Sequence, residues 1–282
     1  MITIKNASQI AKMREAGALL HEVLEQLKGK IEPGITTKEL DRYAEKLIRG
    51  YGAVPSFLNY EGYPASICAS VDSQVVHGIP SDSTVLREGQ IISIDSGLIL
   101  DGWQSDSAFT MGVGLISPEA QRLIDVTEQS FFAALQVARE GYRISDIGHA
   151  VQQYVEERGY SAVRDLCGHG IGREMHEDPS VPNYGAPGHG VRLRRGMTIC
   201  IEPMIAAGGY NVKTLRDGWT VVTTDGSLCS HYEHTMANPN CFRCPDIIRR
   251  RSDELVPYGS WPGGLFQSRT RRGALLRGRG RP

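Results

Sequence analysis

No stretch of this sequence approaches the roughly 18 consecutive apolar residues of a membrane-spanning helix, so no span is expected. No secretory hydrophobic region follows Met1-Ile-Thr-Ile-Lys5, which leads into an amphipathic pattern. Cysteine is scarce. Six in 282 residues do not form a disulfide framework, and a reduced, cytoplasmic setting fits them better. Cys241-Phe-Arg-Cys244 is a solitary CxxC without a second Cys or His pair nearby, so a zinc knuckle is set aside. The glycines of 168–172 lack the βαβ setting and distal acid of a nucleotide loop.

Charge of one sign is also lacking overall, with a formal net of −1, but its distribution is uneven. Residues 242–282 hold ten arginines and three acids, a net of +7, which leaves 21 basic and 29 acidic side chains before them, a net of −8. The Arg-, Gly- and Pro-rich tail, residues 250–282, is expected to be disordered. Such an arm suits contact with ribosomal RNA; a tail without selected function is the preferred reading. Residues 1–249 are expected to form one domain, with halves of about 1–116 and 117–249.

What is present is a repeat. Leu86-Arg-Glu-Gly-Gln-Ile-Ile-Ser-Ile-Asp95 recurs as Leu193-Arg-Arg-Gly-Met-Thr-Ile-Cys-Ile-Glu202, an offset of 107 residues. The offset also pairs Gly34 with Gly141, Leu40 with Ile147, Ala44 with Val151, Ile48 with Val155 and Gly52 with Gly159. A shared offset across a helix, a turn and a strand implies two related halves. Each half delivers a carboxylate at the end of an apolar strand, where it is costly unless a charge compensates it.

Around the repeat, Ser8 precedes Ile10, Met13, Leu20, Leu24 and Leu27 at helical spacing, and Gly29 ends that helix. Thr36-Thr-Lys-Glu39 is a capping box opening a second helix to about Arg49. Strands are predicted at 90–95 and around 105–113, separated by a turn at Asp101-Gly102. Ser117-Pro118 opens a helix to about Glu140, and Ser145 is expected to cap the next, which Gly159 ends. Residues 160–240 read as strands and loops. The pattern implies α+β, with helices packed on one face of a mainly antiparallel sheet.

Five oxygen or nitrogen ligands stand out in this frame: Asp95, Asp106, His169, Glu202 and Glu233. Taken singly, Asp106 or Glu233 reads as an ordinary acid in a strand or turn. Asp95 and Asp106 flank one turn, however, and Asp95 and Glu202 are related by the repeat. Four carboxylates and an imidazole are too many for one catalytic zinc. They suit two divalent ions about 3.5–4 Å apart, with Mn, Fe(II), Co or Zn all compatible.

These residues, with Asn59-Tyr-Glu-Gly-Tyr-Pro64, Val76-His-Gly-Ile-Pro80, Cys167-Gly-His-Gly-Ile-Gly172, His176-Glu-Asp-Pro179, Ile201-Glu-Pro-Met204, Asp217-Gly-Trp-Thr220 and Tyr232-Glu-His-Thr235, resemble the methionine aminopeptidases. The likeness covers roughly residues 1–235. Only 26 residues separate His176 from Glu202, which leaves no space for the helical insertion of type 2 enzymes. No Cys/His-rich extension precedes the first helix, as in the short bacterial or organellar form.

The resemblance implies the pita-bread fold, two pseudo-symmetric halves with helices packed on a curved, mainly antiparallel sheet. It implies removal of the initiator methionine, when the second residue is small, by a hydroxide bridging two metal ions. Asp95 would chelate one ion, Asp106 and Glu233 would bridge, and His169 and Glu202 would hold the other; Glu202 would also shuttle the proton. His77 would handle the leaving amide and His176 would bond the scissile carbonyl. Tyr60, Tyr63, Cys68 and Trp219 match methionine-pocket positions, with Phe57 and Met175 beside them. Phe57 falls where several relatives have cysteine, and Tyr63 reads equally as core. His21, His149, His189 and His231 are read as structural, and His234 as packing beside Glu233. The implied partners are nascent polypeptides with N-terminal methionine and, transiently, the ribosome, for a monomeric chain.

One departure stands out. After Thr235 the family's apolar strand is replaced by a segment containing Pro239 and Pro245, which a central strand would not accept. Two rivals remain. One is a prolidase or aminopeptidase P, disfavoured because Asp95 comes too early for their extra N-terminal domain. The other is a non-catalytic pita-bread module, disfavoured because all five ligands are retained.

Overall fold

The computed structural model describes residues 1–237 and the backbone of 240–241. The expectations for residues 250–282 lie outside these. The first helix, α1 (Ala7–Lys28), begins earlier than the Ser8 signal. Asn6 accepts from the Gln9 amide at 3.0 Å and Gln9 Oε1 accepts from the Asn6 amide at 2.9 Å, a capping box in amide form. Helix α2 (Thr37–Gly50) follows, capped by Thr36 as predicted. Then come β1 (Val54–Pro55), β2 (Ile67–Val71), β3 (Gln74–Val76), β4 (Ile91–Leu100) and β5 (Trp103–Gly112). The β4–β5 turn is the Asp101-Gly102 pair, at φ 51° and 73°. Two consecutive positive φ values match the twist of a tight hairpin. Both strands therefore run up to the turn, further than the sequence pattern alone indicated.

Helix α3 (Pro118–Val137) starts on its Ser117 cap with Pro118 in the first turn. Helix α4 (Ile144–Glu156) starts one residue before the predicted Ser145 cap. Asp146 Oδ2 accepts from the Arg143 amide at 2.7 Å, and Ser145 Oγ instead takes the His189 amide at 2.7 Å. The remaining strands are β6 (Ser161–Ala162), β7 (Cys167–Gly170), β8 (Glu177–Pro182), β9 (Thr198–Ile201), β10 (Met204–Ala206), β11 (Val212–Thr214), β12 (Val221–Thr223), β13 (Cys229–His231), β14 (Glu233–Ala237) and β15 (Asn240–Cys241). Residues 233–237 thus continue as a strand past Thr235, pairing with both β5 and β9 and ending before Pro239.

The main sheet runs β1, β4, β5, β14, β9, β7, β8, with β2 also on β4 and β15 on β14. Its pairs are antiparallel. Along β4, alternation divides two environments. Ile92, Ile94 and Leu98 pack with Leu20, Val23, Leu24 and Leu27 of α1 and Leu40 and Ile48 of α2. Burial of each such side chain contributes roughly 1.5–3 kcal/mol. Asp95 and Gly97 project from the opposite face.

The halves repeat in conformation. Gly34 and Gly141 have φ 100° and 97°, Gly52 and Gly159 75° and 83°, Gly89 and Gly196 88° and 89°. An isolated bridge joins Thr36 to Val85, and its counterpart, 107 residues on, joins Arg143 to Arg192. Leu40, Ala44 and Ile48 are fully buried, as are Ile147, Val151 and Val155. The predicted pseudo-symmetry therefore exists at the level of turns, bridges and core.

Candidate metal centre

The sheet register assembles the site. Cys68 on β2 pairs with Asp95 on β4, Asp95 with Ala108 on β5, and Ala108 with Glu233 on β14. Directly paired residues share a face, so this row puts two carboxylates on one surface with a methyl group between them. Asp106 lies two residues from Ala108 and so faces the same way. Gly97 is its cross-strand partner. Glu202 follows β9, where Ile201 pairs with His234, and arrives beside Glu233. His169 comes from β7, which pairs with β9 at Gly170.

His169 Nε2 lies 3.8 Å from Asp106 Oδ2 and 3.8 Å from Glu202 Oε1. Its Nδ1–H donates to the Gly170 carbonyl at 2.8 Å, which leaves the Nε2 lone pair facing the two acids. That is the tautomer a metal-ligating imidazole requires. Asp95 Oδ1, Asp106 Oδ1 and Glu233 Oε1 are buried with no hydrogen-bond partner. Burial and the neighbouring charges of Asp106 and Glu202 push Asp95 well above the usual carboxylate range. Burial and the charge of Asp106 do the same for Glu202; burial and the charges of Asp106, Glu202 and Asp95 do so for Glu233. Burial pushes Asp106 up to about 7. Burial, then the nearby His176, brings His169 down to about 4. Four acids that cannot all ionise together, with orphaned oxygens, beside a neutral imidazole, fit divalent cations: the positive charge removes the repulsion and occupies the unpartnered atoms.

A cavity of about 320 Å³ adjoins the cluster. Its lining brings together Asp95, Asp106, His169, Glu202 and Glu233 with His77, His176, Tyr60, Tyr63, Cys68, Trp219, Phe57 and Met175. Tyr63 and Trp219 meet edge to face at 5.1 Å, and His77 lies 6.2 Å from Trp219. Tyr63 donates to the Ile67 and Gly78 carbonyls, each at 3.1 Å, so its ring is both core and wall. His176 meets His169 edge to face at 4.3 Å, and Tyr60 OH meets its Nδ1 at 2.8 Å. Burial raises the Tyr60 phenol, so the hydroxyl stays protonated. Burial lowers His176 and His77, which keeps both rings neutral. His77 sits at φ 59°, a left-handed conformation uncommon for non-glycine residues.

Several neighbours were missed from sequence. Glu61, Asp165, Leu166 and Cys167 also line the cavity. Cys200 offers its sulfur among Asp106, His169 and Glu233. Burial and the adjacent acids raise its thiol well above the ordinary range. The signal for Cys200 was available, since it lies two residues before Glu202 and so shares its face. The reading of His231 requires correction. It is not a turn residue without a ligand-type partner but a buried residue at the end of β13. Its Nε2 is 3.8 Å from Glu202 Oε2 and 3.8 Å from Glu233 Oε2. The other histidines match their structural reading. His21 faces Glu25 on α1, His149 meets the Gly185 carbonyl, and the His189 amide donates to Ser145. His234 bonds Ser107 and packs edge to face against Phe131 and Tyr232.

Residues 11–237 match the family model described as metallopeptidase family M24. A methionine aminopeptidase of Clostridium acetobutylicum is 55% identical over 237 residues, covering 84% of this chain and 95% of the relative. Methionine aminopeptidase 1 of Bacillus subtilis is 52% identical over 237 residues, covering 84% and 95% respectively. Among solved structures, methionine aminopeptidase from Rickettsia prowazekii superposes with a TM-score of 0.85 at 41% identity, covering 86% of this chain and 100% of that one.

Proposed function

The chain belongs to metallopeptidase family M24, and from that premise we propose that it is a methionine aminopeptidase, removing the initiator methionine from nascent proteins whose second residue is small. The observation that carries the reading is that one cavity holds the acid cluster and His169 beside Phe57, Tyr63, Cys68, Met175 and Trp219. Asp95 would hold one divalent ion, Asp106 and Glu233 would be shared, and His169 and Glu202 would hold a second. Cobalt, manganese, iron(II) and zinc all suit this donor set. When bound, such ions supply Lewis acidity, bringing the pKa of water towards about 7 and polarising a carbonyl.

The chain's own groups do the remaining work. Glu202 would accept the proton of the attacking water as a carboxylate and pass it to the leaving amine. His176 presents Nε2–H to the carbonyl oxygen of the scissile bond, with Tyr60 OH at its Nδ1. His77 orients the leaving amide. The methionine thioether would lie against the Tyr63–Trp219 pair, where sulfur–aromatic contact contributes about 0.3–1.5 kcal/mol.

No helix of the described residues is long and apolar enough to cross a membrane. The proposal includes a cytoplasmic, monomeric enzyme that meets nascent chains at the ribosome; the free state of Cys68, Cys167, Cys200 and Cys229 supports the compartment. With added manganese or cobalt, Met-Ala-Ser should be cleaved and Leu-Ala-Ser and Ala-Pro-Ser should not. Preference for Ala-Pro-Ser would move the assignment to a prolidase. No cleavage with any metal would favour a binding module.

A further inference from the structure

We propose that His231 is an additional metal ligand, a second imidazole that closes the centre from the side of Glu202 and Glu233. This rests on the reading of the cavity as a divalent-metal centre. The motif comparison did not assign His231; its place in the fold does. Glu202 stands between two rings. His169 Nε2 faces Oε1 at 3.8 Å, and His231 Nε2 faces Oε2 at 3.8 Å. His231 Nε2 is also 3.8 Å from Glu233 Oε2, just as His169 Nε2 is 3.8 Å from Asp106 Oδ2. Each imidazole thus spans a pair of carboxylates in the same way.

The distance itself discriminates. At 3.8 Å the contacts are too long for hydrogen bonds. Two donor atoms each about 2.1 Å from one ion lie roughly 3.0 Å apart at right angles and roughly 4.2 Å apart when opposite. The observed spacing falls between those limits. Glu202, His231 and Glu233 each offer a ligand atom, all within 4.8 Å of one another.

The ring is also reserved for this use. His231 is 1% exposed, and neither Nδ1 nor Nε2 has a hydrogen-bond partner. An imidazole buried in that state is costly unless something occupies its nitrogen. Its backbone is fixed. Thr110 Oγ1 accepts from the His231 amide at 2.9 Å and donates to its carbonyl at 2.8 Å, and His231 pairs with Met204 across β13 and β10. A second nitrogen donor should favour cobalt, iron(II) or zinc over manganese at the ion nearest Glu202 and Glu233.

X-ray absorption of the full chain loaded with two equivalents of cobalt tests this without relying on a variant. The expected result is an average of one imidazole per cobalt, falling to half in His231→Gln. Competition titration should show one equivalent bound more than about tenfold more weakly in that variant. His231→Asn provides a second case, with circular dichroism and melting of the metal-free forms establishing that each folds. Half an imidazole per cobalt in the wild type, unchanged by either substitution, would overturn the assignment of His231 and leave the metal centre intact. A wild-type chain that binds no divalent metal would overturn both.

Discussion

The two repeat strands start alike and end differently. In the first half, β4 continues five residues beyond Asp95 to Leu100 and turns into β5, which carries Asp106. In the second half, β9 stops at Ile201, and Glu202 is followed by Pro203, which has no amide hydrogen for a ladder. The chain then leaves the main sheet, and β10 pairs with β13 and β6 instead. Asp95 is therefore held mid-strand with neighbours on both sides, whereas Glu202 sits just past a strand end, and both line the cavity. Equivalent positions in a duplicated frame have thus come to differ in how the backbone holds them. The acid proposed to move a proton is the one that precedes the proline.

The largest expected effect breaks that division directly. Glu202→Gln keeps an oxygen ligand but removes the proton carrier, so kcat for Met-Ala-Ser should fall by about 10²–10⁴-fold and stay low at saturating metal. Asp95→Asn should also lose activity, but by lowering metal occupancy, so that excess cobalt restores much of it. Equal recovery of both variants by metal would remove the functional difference between the halves.

Next in size is the proline. Ser96 is the repeat counterpart of Pro203 and pairs with both Ile67 and Ser107. Ser96→Pro should remove a ladder bond in a central strand and destabilise the fold by about 3 kcal/mol or more. Pro203→Ser should change stability by less than about 1 kcal/mol, through the unfolded chain. Urea denaturation of the two variants measures the contrast. Comparable losses would mean that the second strand depends on its proline as heavily as the first depends on its ladder.

The protons held by the cluster give a smaller, pH-dependent difference. With Asp106 raised from 3.8 to about 7, the metal-free folded state keeps a proton that the unfolded chain releases. Its contribution therefore turns destabilising as pH climbs from about 4 to about 7, and is complete above that. His169, lowered from 6.5 to about 4, acts in the other direction: its stability is present above 6.5 and lost as pH falls towards 4. Between pH 6 and 8 the Asp106 change is the larger. A divalent ion replaces that proton, so the gain in melting temperature on adding cobalt should be greater at pH 8 than at pH 6. An equal or smaller gain at pH 8 would contradict the raised carboxyl.

Much of this was legible in the sequence because glycine and alternation report backbone geometry directly. Gly34, Gly52 and Gly89 marked turns that recur, 107 residues on, with nearly the same φ. Asp101-Gly102 placed Asp95 and Asp106 on one hairpin. What stayed hidden depended on contacts distant in sequence. His231 reads as a loop residue until β13 pairs with β10 and Thr110 grips its backbone. The start of α4 was misplaced because Ser145, a good cap by type, is drawn to the His189 amide while Asp146 reaches back to Arg143. The length of β4 was underestimated because its pattern weakens at Gly97, where a Cβ would collide with Ser56, Met175 and Phe57.

The smallest expected effect returns to the halves at their helix starts. Thr36 Oγ1 accepts from the Glu39 amide at 3.1 Å, while Glu39 Oε2 accepts from the Thr36 amide at 2.8 Å. At the equivalent position Arg143 offers no side-chain acceptor, and only the return bond from Asp146 is made. Thr36→Ala should therefore destabilise by about 1 kcal/mol, and Arg143→Ala by a few tenths. Asp146→Ala, which removes the bond that α4 does have, should exceed Arg143→Ala. Thermal melts of the three variants decide the order. If Arg143→Ala matched Thr36→Ala, the second helix would depend on its arginine through the bond to the Gly190 carbonyl, and the two starts would be held by different devices of equal strength.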